Sequence, residues 1–146
     1  YDLIEPQVKS VLVVDVGGGS TELSHVDASA IRDRGLAGIL RQAPIMDWTS
    51  LKLGVVTLSE SYDLSNEDVA WPLMLERARS AVRAWPALDR VAQRLAADDG
   101  YLIGTSGTVT CLAGVHLNLD RYRRDKVDGS WLSRHDGRAT MDRLRE

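Results

Sequence analysis

Apolar positions along this chain fall into two kinds of pattern, one suited to strands and one to helices. Val11-Leu12-Val13-Val14-Asp15-Val16 is continuous and rich in β-branched residues, which predicts a buried strand ending beside a carboxylate. Gly17, Gly18 and Gly19 follow, and Thr21-Glu22-Leu23-Ser24-His25-Val26 after them is too short and too weakly periodic for a helix. It reads as a second strand returning from a glycine turn, so strands are expected at 11–16 and 20–26. Ser50 to Glu60 alternates at Leu51, Leu53 and Val55 and runs on through Val56 and Leu58, which predicts a third strand over 50–58. Gly54 inside it implies a bulge or a close neighbouring backbone. The helical pattern begins at Asn66-Glu67-Asp68 ahead of Pro72, continues with Leu73, Arg77 and Ser80 beside Met74, Ala78 and Ala81, kinks or restarts at Pro86, and resumes at Leu88, Val91 and Leu95 until Asp99-Gly100. Helices are therefore expected near 67–97.

Tyr101 to Gly104 returns to strand spacing, a helix is expected near 108–117, and a last amphipathic segment runs from Trp131 to Leu144. Asp27 to Ser50 lacks a steady period. Ile31, Leu36, Ile39 and Leu40 line one short helix there at most, and Met46 and Trp48 are expected to pack on the surface. Strands flanked by helices, with the first three strands as antiparallel neighbours, give an α/β fold with a mixed sheet.

The glycine turns carry the candidate chemistry. An ordinary two-residue hairpin turn needs only one or two glycines, whereas three, followed by two hydroxyls, let backbone N–H groups close on an anion. A Walker loop would need a lysine before Ser20, and the dinucleotide fingerprint would need a glycine where Glu22 stands. Gly17, Gly18, Gly19, Ser20 and Thr21 are thus candidate phosphate ligands on a hairpin tip rather than at a helix start. Gly104-Thr105-Ser106-Gly107-Thr108 forms a second strand-to-glycine unit, this one opening a helix whose N–H groups attract an anion. Asp15, at the strand end, can hold Mg²⁺ through water, and Glu22, just across the hairpin, can orient water or bind the same ion. Both are candidate catalytic and metal-binding residues; plain hairpin and surface carboxylates are their alternatives.

Composition narrows the partners. The net charge of −3 over 146 residues leaves no global basic field for nucleic acid or a membrane, and no stretch reaches the ~18 apolar residues of a span. A single cysteine excludes an internal disulfide and suits a reducing cytoplasm, and three scattered histidines make no metal set. Cys111 reads as a small buried apolar residue. Asp120 to Lys126 concentrates Arg121, Arg123, Arg124 and Lys126; Arg121, Arg124 and Lys126 are candidate polyanion contacts, and a solvated loop explains them equally well. Residues 1–10 read as a lead-in from a preceding domain, and 11–146 as one domain whose last strand lies beyond its end.

A strand, a glycine-rich turn and a return strand resemble the phosphate hairpin of the actin, Hsp70 and sugar-kinase superfamily. More specifically, Asp15-Val16-Gly17-Gly18-Gly19-Ser20-Thr21-Glu22-Leu23, Gly104-Thr105-Ser106-Gly107-Thr108 and Lys126-Val127-Asp128-Gly129 resemble the second domain of the exopolyphosphatase and guanosine pentaphosphate phosphohydrolase (Ppx/GppA phosphatase) family. The resemblance implies a ribonuclease H-like, actin-like fold. It also implies removal of a terminal phosphoryl group from polyphosphate or guanosine pentaphosphate, with a divalent cation, between two domains facing each other. The first domain's loop and catalytic-base glutamate have no counterpart in residues 1–10, so a missing N-terminal domain is the expected partner and this chain alone is expected to be inactive. A homodimer of the full-length protein is left open. Thr57 stands where the family has arginine and Asp128 where it has histidine, which lowers positive charge near a polyanion. Half of a sugar or acetate kinase, or a polyphosphate- or alarmone-binding module without turnover, are the competing readings.

Overall fold

A computed structural model describes residues 4–31, 37–38, 44–98 and 100–145. Its strands are β1 (Ser10–Val16), β2 (Thr21–Asp27), β3 (Ile45–Leu51) and β4 (Tyr101–Thr105). The helices are α1 (Val55–Glu60), α2 (Glu67–Arg83), α3 (Leu88–Ala97), α4 (Ser106–His116), α5 (Arg124–Val127) and α6 (Arg134–Arg143). The four strands form one mixed sheet in the order β3-β2-β1-β4, antiparallel except for the parallel β1–β4 pair. The expected α/β class and the antiparallel run of the first three strands are therefore present.

The third strand is not where the apolar alternation put it. It occupies Ile45–Leu51, and Val55–Glu60 is a helix. Leu53 and Gly54 are buried where the chain turns under the β1–β2 hairpin, and the next three N–H groups find carbonyl partners on that hairpin, which a continuing strand would not offer them. Tertiary hydrogen bonding thus overrides a β-branched local preference. Ile45, Met46 and Trp48 of β3 are exposed, as surface positions should be. Of the short helix proposed around Ile31, Leu36, Ile39 and Leu40, only 28–31 and 37–38 fall among the described residues, all helical; Leu36, Ile39 and Leu40 lie outside them. The long helical stretch divides at Pro86 into α2 and α3, as the proline requires.

Each sheet face has its own core. Leu12 and Val14 of β1 and Leu23 of β2 pack with Leu51 against Trp85, Ala87, Leu88, Val91 and Leu95, so α3 and the turn before it cover this face. Val11, fully buried, lies on the other face with Val8, Ala28, Tyr101 and Ile103. Tyr101 also meets Trp131 edge-on, with ring centroids 4.9 Å apart.

A polar chain crosses the α3-covered face behind these apolar residues. Ser10 and His25, each 1% exposed, share a hydrogen bond of 2.7 Å between Oγ and Nε2. His25 Nδ1 lies 3.2 Å from Asp47 Oδ2, and Arg90 of α3 pairs with the same carboxylate. The chain joins β1, β2, β3 and α3 and leaves no buried side-chain polar atom unpartnered among the described residues. Arg90, then His25, hold the Asp47 carboxyl below its ordinary value against an opposing push from burial.

Replacing His25 by Ala strands both neighbours and opens a cavity, so it should cost about 2–4 kcal/mol by urea unfolding; Arg90→Ala, at a mostly exposed side chain, should cost much less. Because the Asp47 value is depressed in the folded state, its contribution is present above pH 3.8, the ordinary value, and is lost as pH falls through the folded-state value. Acid unfolding of Asp47→Asn should show a shallower dependence on pH in that window than the parent.

Candidate functional site

The β1–β2 hairpin turns at Gly18-Gly19, closed by a hydrogen bond from Gly17 N to Ser20 O at 3.0 Å. No helix leaves Gly19; β2 begins at Thr21. The turn's carbonyls point at the start of α1. Val55 N donates to Gly17 O at 3.0 Å, and Val56 N and Thr57 N donate to Gly18 O at 2.9 and 3.1 Å. Such close backbone contact requires that residue 54 have no side chain: a Cβ on Gly54 would stand 2.3 Å from Gly18 O and 2.6 Å from Gly17 O. Thr57 Oγ1 braces this corner by accepting from Gly54 N at 2.9 Å and donating to Gly54 O at 3.1 Å. Thr21 Oγ1 donates to Leu53 O at 2.7 Å. With the carbonyls so engaged, no loop or turn hydrogen bond among the described residues uses the N–H of Gly18, Gly19 or Ser20. Those donors are what an anion would need.

The parallel pairing of β1 with β4 brings the second loop alongside. Asp15 is in register with Thr105, and Thr108 Oγ1 donates to Val16 O at 3.0 Å, so the second loop is tied to the end of β1, next to the hairpin turn. Thr21 and Thr108, expected as phosphate ligands, therefore give their hydroxyl protons to backbone carbonyls in this structure. Ser106 opens α4 with φ of 74°, a left-handed conformation. For a residue other than glycine this stores on the order of 1–3 kcal/mol, a cost that concentrates at ligand clamps. Gly104 keeps the loop close to α4, since a Cβ there would meet Val109 Cγ1 at 2.3 Å.

Strand register also aligns four oxygen-bearing side chains. Thr105 of β4 pairs with Asp15 of β1, Asp15 with Glu22 of β2, and Glu22 with Ser50 of β3. Paired residues share a face, so this row crosses the sheet beside both loops. Ser50 Oγ donates to Glu22 Oε1 at 2.8 Å. The Ser20 hydroxyl first, and that of Ser50 second, keep the Glu22 carboxyl below its ordinary value. Two hard carboxylates facing each other on adjacent strands fit Mg²⁺, which takes one or two carboxylates together with waters and phosphate oxygens. No group of three or more His, Cys, Asp or Glu side chains placed to hold a metal ion occurs among the described residues, so these two carboxylates would supply only part of a coordination shell.

Arg121 lies on the exposed segment leading into α5, and Arg124 and Lys126 lie exposed within that helix, which packs on α4. Arg124 pairs with Asp128 at 2.8 Å and Arg123 with Asp125 at 2.7 Å. Among the described residues no salt bridge engages Arg121 or Lys126. Cys111 is exposed, contrary to the buried position expected of it. Val109 faces β4 through Gly104, and two residues onward the helix turns by ~200°, which carries Cys111 outward. Sequence reasoning missed Ser50 and the first amides of α1 as parts of the site; the Gly54 signal of a close neighbouring backbone was their trace.

The profile of the Ppx/GppA phosphatase family matches residues 3–144. Among solved structures, the chain is similar to an exopolyphosphatase-like protein, at 27% identity and a TM-score of 0.65, over 96% of this chain and 40% of that one. It is similar in fold to the type II variant of an Aquifex aeolicus Ppx/GppA phosphatase, at 24% identity, a TM-score of 0.55, and 83% and 33% coverage of the two chains. A further Aquifex aeolicus family member gives 24% identity, a TM-score of 0.56, and coverage of 93% and 37%. The chain thus spans 40% or less of each of these structures. No curated protein matches it.

Gly54→Ala should be felt at the hairpin tip although residue 54 carries no ligand group. Backbone atoms 2.3 to 2.6 Å from the added methyl must shift, at a cost of about 1–3 kcal/mol. The expected result is a lower thermal midpoint together with loss of phosphate binding by calorimetry. Gly107→Ala, where nothing lies within 4 Å, should leave the thermal midpoint unchanged.

Proposed function

The chain belongs to the Ppx/GppA phosphatase family, and from that premise we propose that it is a phosphate-binding lobe of a hydrolase that removes the terminal phosphoryl group from inorganic polyphosphate or guanosine pentaphosphate. The observation that carries this reading is the tie of the second glycine loop to the end of β1, which sets it beside a hairpin turn whose N–H groups no loop or turn hydrogen bond uses among the described residues, next to a facing pair of carboxylates.

Phosphoanhydride hydrolysis needs donors around the equatorial oxygens, neutralisation of charge and an oriented water. Gly18, Gly19 and Ser20 offer backbone donors, and Thr105 and Ser106 offer hydroxyls not bonded to the neighbouring loop. Asp15 and Glu22 would hold a divalent cation, Mg²⁺ by the chemistry of the donor set. When bound, that ion supplies charge neutralisation for the phosphoryl group. Glu22, held ionised by Ser20 and Ser50, is suited to accept from water or a metal-bound ligand. The opposing donors and the general base would come from a second lobe of the same protein. Arg121 and Lys126 extend the reading toward a longer anion.

Gly18→Val tests the anion site. A Cβ at residue 18 already lies 3.3 Å from Val56 Cγ2, and a branched side chain would shield the exposed turn amides. Polyphosphate affinity by calorimetry should fall at least tenfold while helix content by circular dichroism stays constant; unchanged affinity would sink the proposal.

A second test compares this chain with a full-length protein containing it, using Mg²⁺ and either polyphosphate or guanosine pentaphosphate. Because one lost donor can cost on the order of 10²-fold in rate, the chain alone should bind but release no measurable phosphate. Turnover by the chain alone, abolished by Glu22→Gln, would make Glu22 itself the base and remove the need for a second lobe.

A further inference from the structure

Ser50 carries an inference about this same site, and it rests on the reading of Asp15 and Glu22 as cation ligands. Ser50 ends the row Thr105, Asp15, Glu22 and Ser50, at the edge of the sheet. Its hydroxyl donates to Glu22 Oε1 across the β2–β3 pair at 2.8 Å. Just beyond Ser50, Leu53 O accepts from Thr21, and the amides of Val55, Val56 and Thr57 are bonded to Gly17 and Gly18. The hydroxyl therefore keeps a fixed place relative to the hairpin.

We propose that Ser50 is the positioning residue for Glu22, fixing the carboxylate beside Asp15 so that its remaining lone pairs face a divalent cation. A carboxylate has about four lone-pair sites; the Ser20 hydroxyl also acts on Glu22 from its own strand end, and the cross-strand bond from Ser50 restricts rotation of the long side chain while leaving the remaining sites available. Partners that orient a ligand in this way are commonly worth 10–100-fold in metal affinity. The same bracket that shapes the phosphate turn thus also sets the cation ligand, coupling the two halves of the site through β3 and the start of α1.

Thr and Val have nearly the same shape, and both suit a strand, so they separate the hydroxyl from packing. Mn²⁺ binding to the 146-residue chain can be followed by the electron paramagnetic resonance signal of the free ion. Ser50→Val should weaken Mn²⁺ binding about tenfold, Ser50→Thr should bind like the wild type, and the two should have matching thermal midpoints. Equal Mn²⁺ affinity in wild type and Ser50→Val would overturn the proposal, as would failure of Ser50→Thr to retain binding or absence of Mn²⁺ uptake by the wild type. Polyphosphate binding with Mg²⁺ present, compared between wild type and Gly18→Val, reports on the loops separately. Equal affinity would sink the anion site while a Ser50-dependent Mn²⁺ site still stood; a tenfold loss in Gly18→Val alongside an unresponsive Mn²⁺ site would sink the Ser50 assignment alone.

Discussion

Capture of the Gly17 and Gly18 carbonyls by the first amides of α1 is the constraint on which the rest of the site depends. A glycine turn offers an anion both donors and acceptors, and acceptors repel it. Three short hydrogen bonds from Val55, Val56 and Thr57 occupy the acceptor side and leave the donor side open. They satisfy the early amides of a six-residue helix in the same step. The helix start therefore spends its first amides on the glycine turn. Gly54 follows necessarily, because any side chain there would occupy the space of the hairpin backbone.

Two carboxylates beside such a turn are the feature that a bound cation would explain. Two like charges 4 Å apart near a protein surface repel by about 4 kcal/mol at an effective dielectric constant of 20. Asp15 and Glu22 would therefore oppose the anion that the amides attract, and each other. A divalent ion held by Asp15 and Glu22 would supply the charge that offsets both repulsions, and under that reading the hard-oxygen pair and the turn amides form one site. With a net charge of −3, any attraction for a polyanion would have to be local, and self-pairing of Arg123 and Arg124 with Asp125 and Asp128 would reduce what the 121–126 segment could contribute.

Behind the site, the sheet must not slip. A one-residue shift of β2 would send Glu22 to the opposite face, away from both Asp15 and Ser50. Two features fix the register on the α3-covered face: Leu23 among Trp85, Ala87 and Val91, and His25 between Ser10 and Asp47. The second is the more selective, since hydrogen-bonding groups buried out of register would go unpaired.

The sequence by itself determined the glycine hairpin, the helix division at Pro86, the strand-to-helix unit at 101–116 and the family to which the chain belongs. These are local matters: three glycines permit one kind of turn, a proline removes one donor, and β-branched runs favour extended chain. Only tertiary structure decided the fate of residues 45–60. Leu53, Val55 and Leu58 alternate like a strand, yet the chain stops pairing at Leu51 and coils at Val55, because unpaired hairpin carbonyls lay within reach of its amides. That outcome also placed Ser50 beside Glu22, turned Thr21 and Thr108 toward carbonyls and exposed Cys111. None of these could be read from spacing, since each depends on a partner dozens of residues away or on which helix face met the sheet.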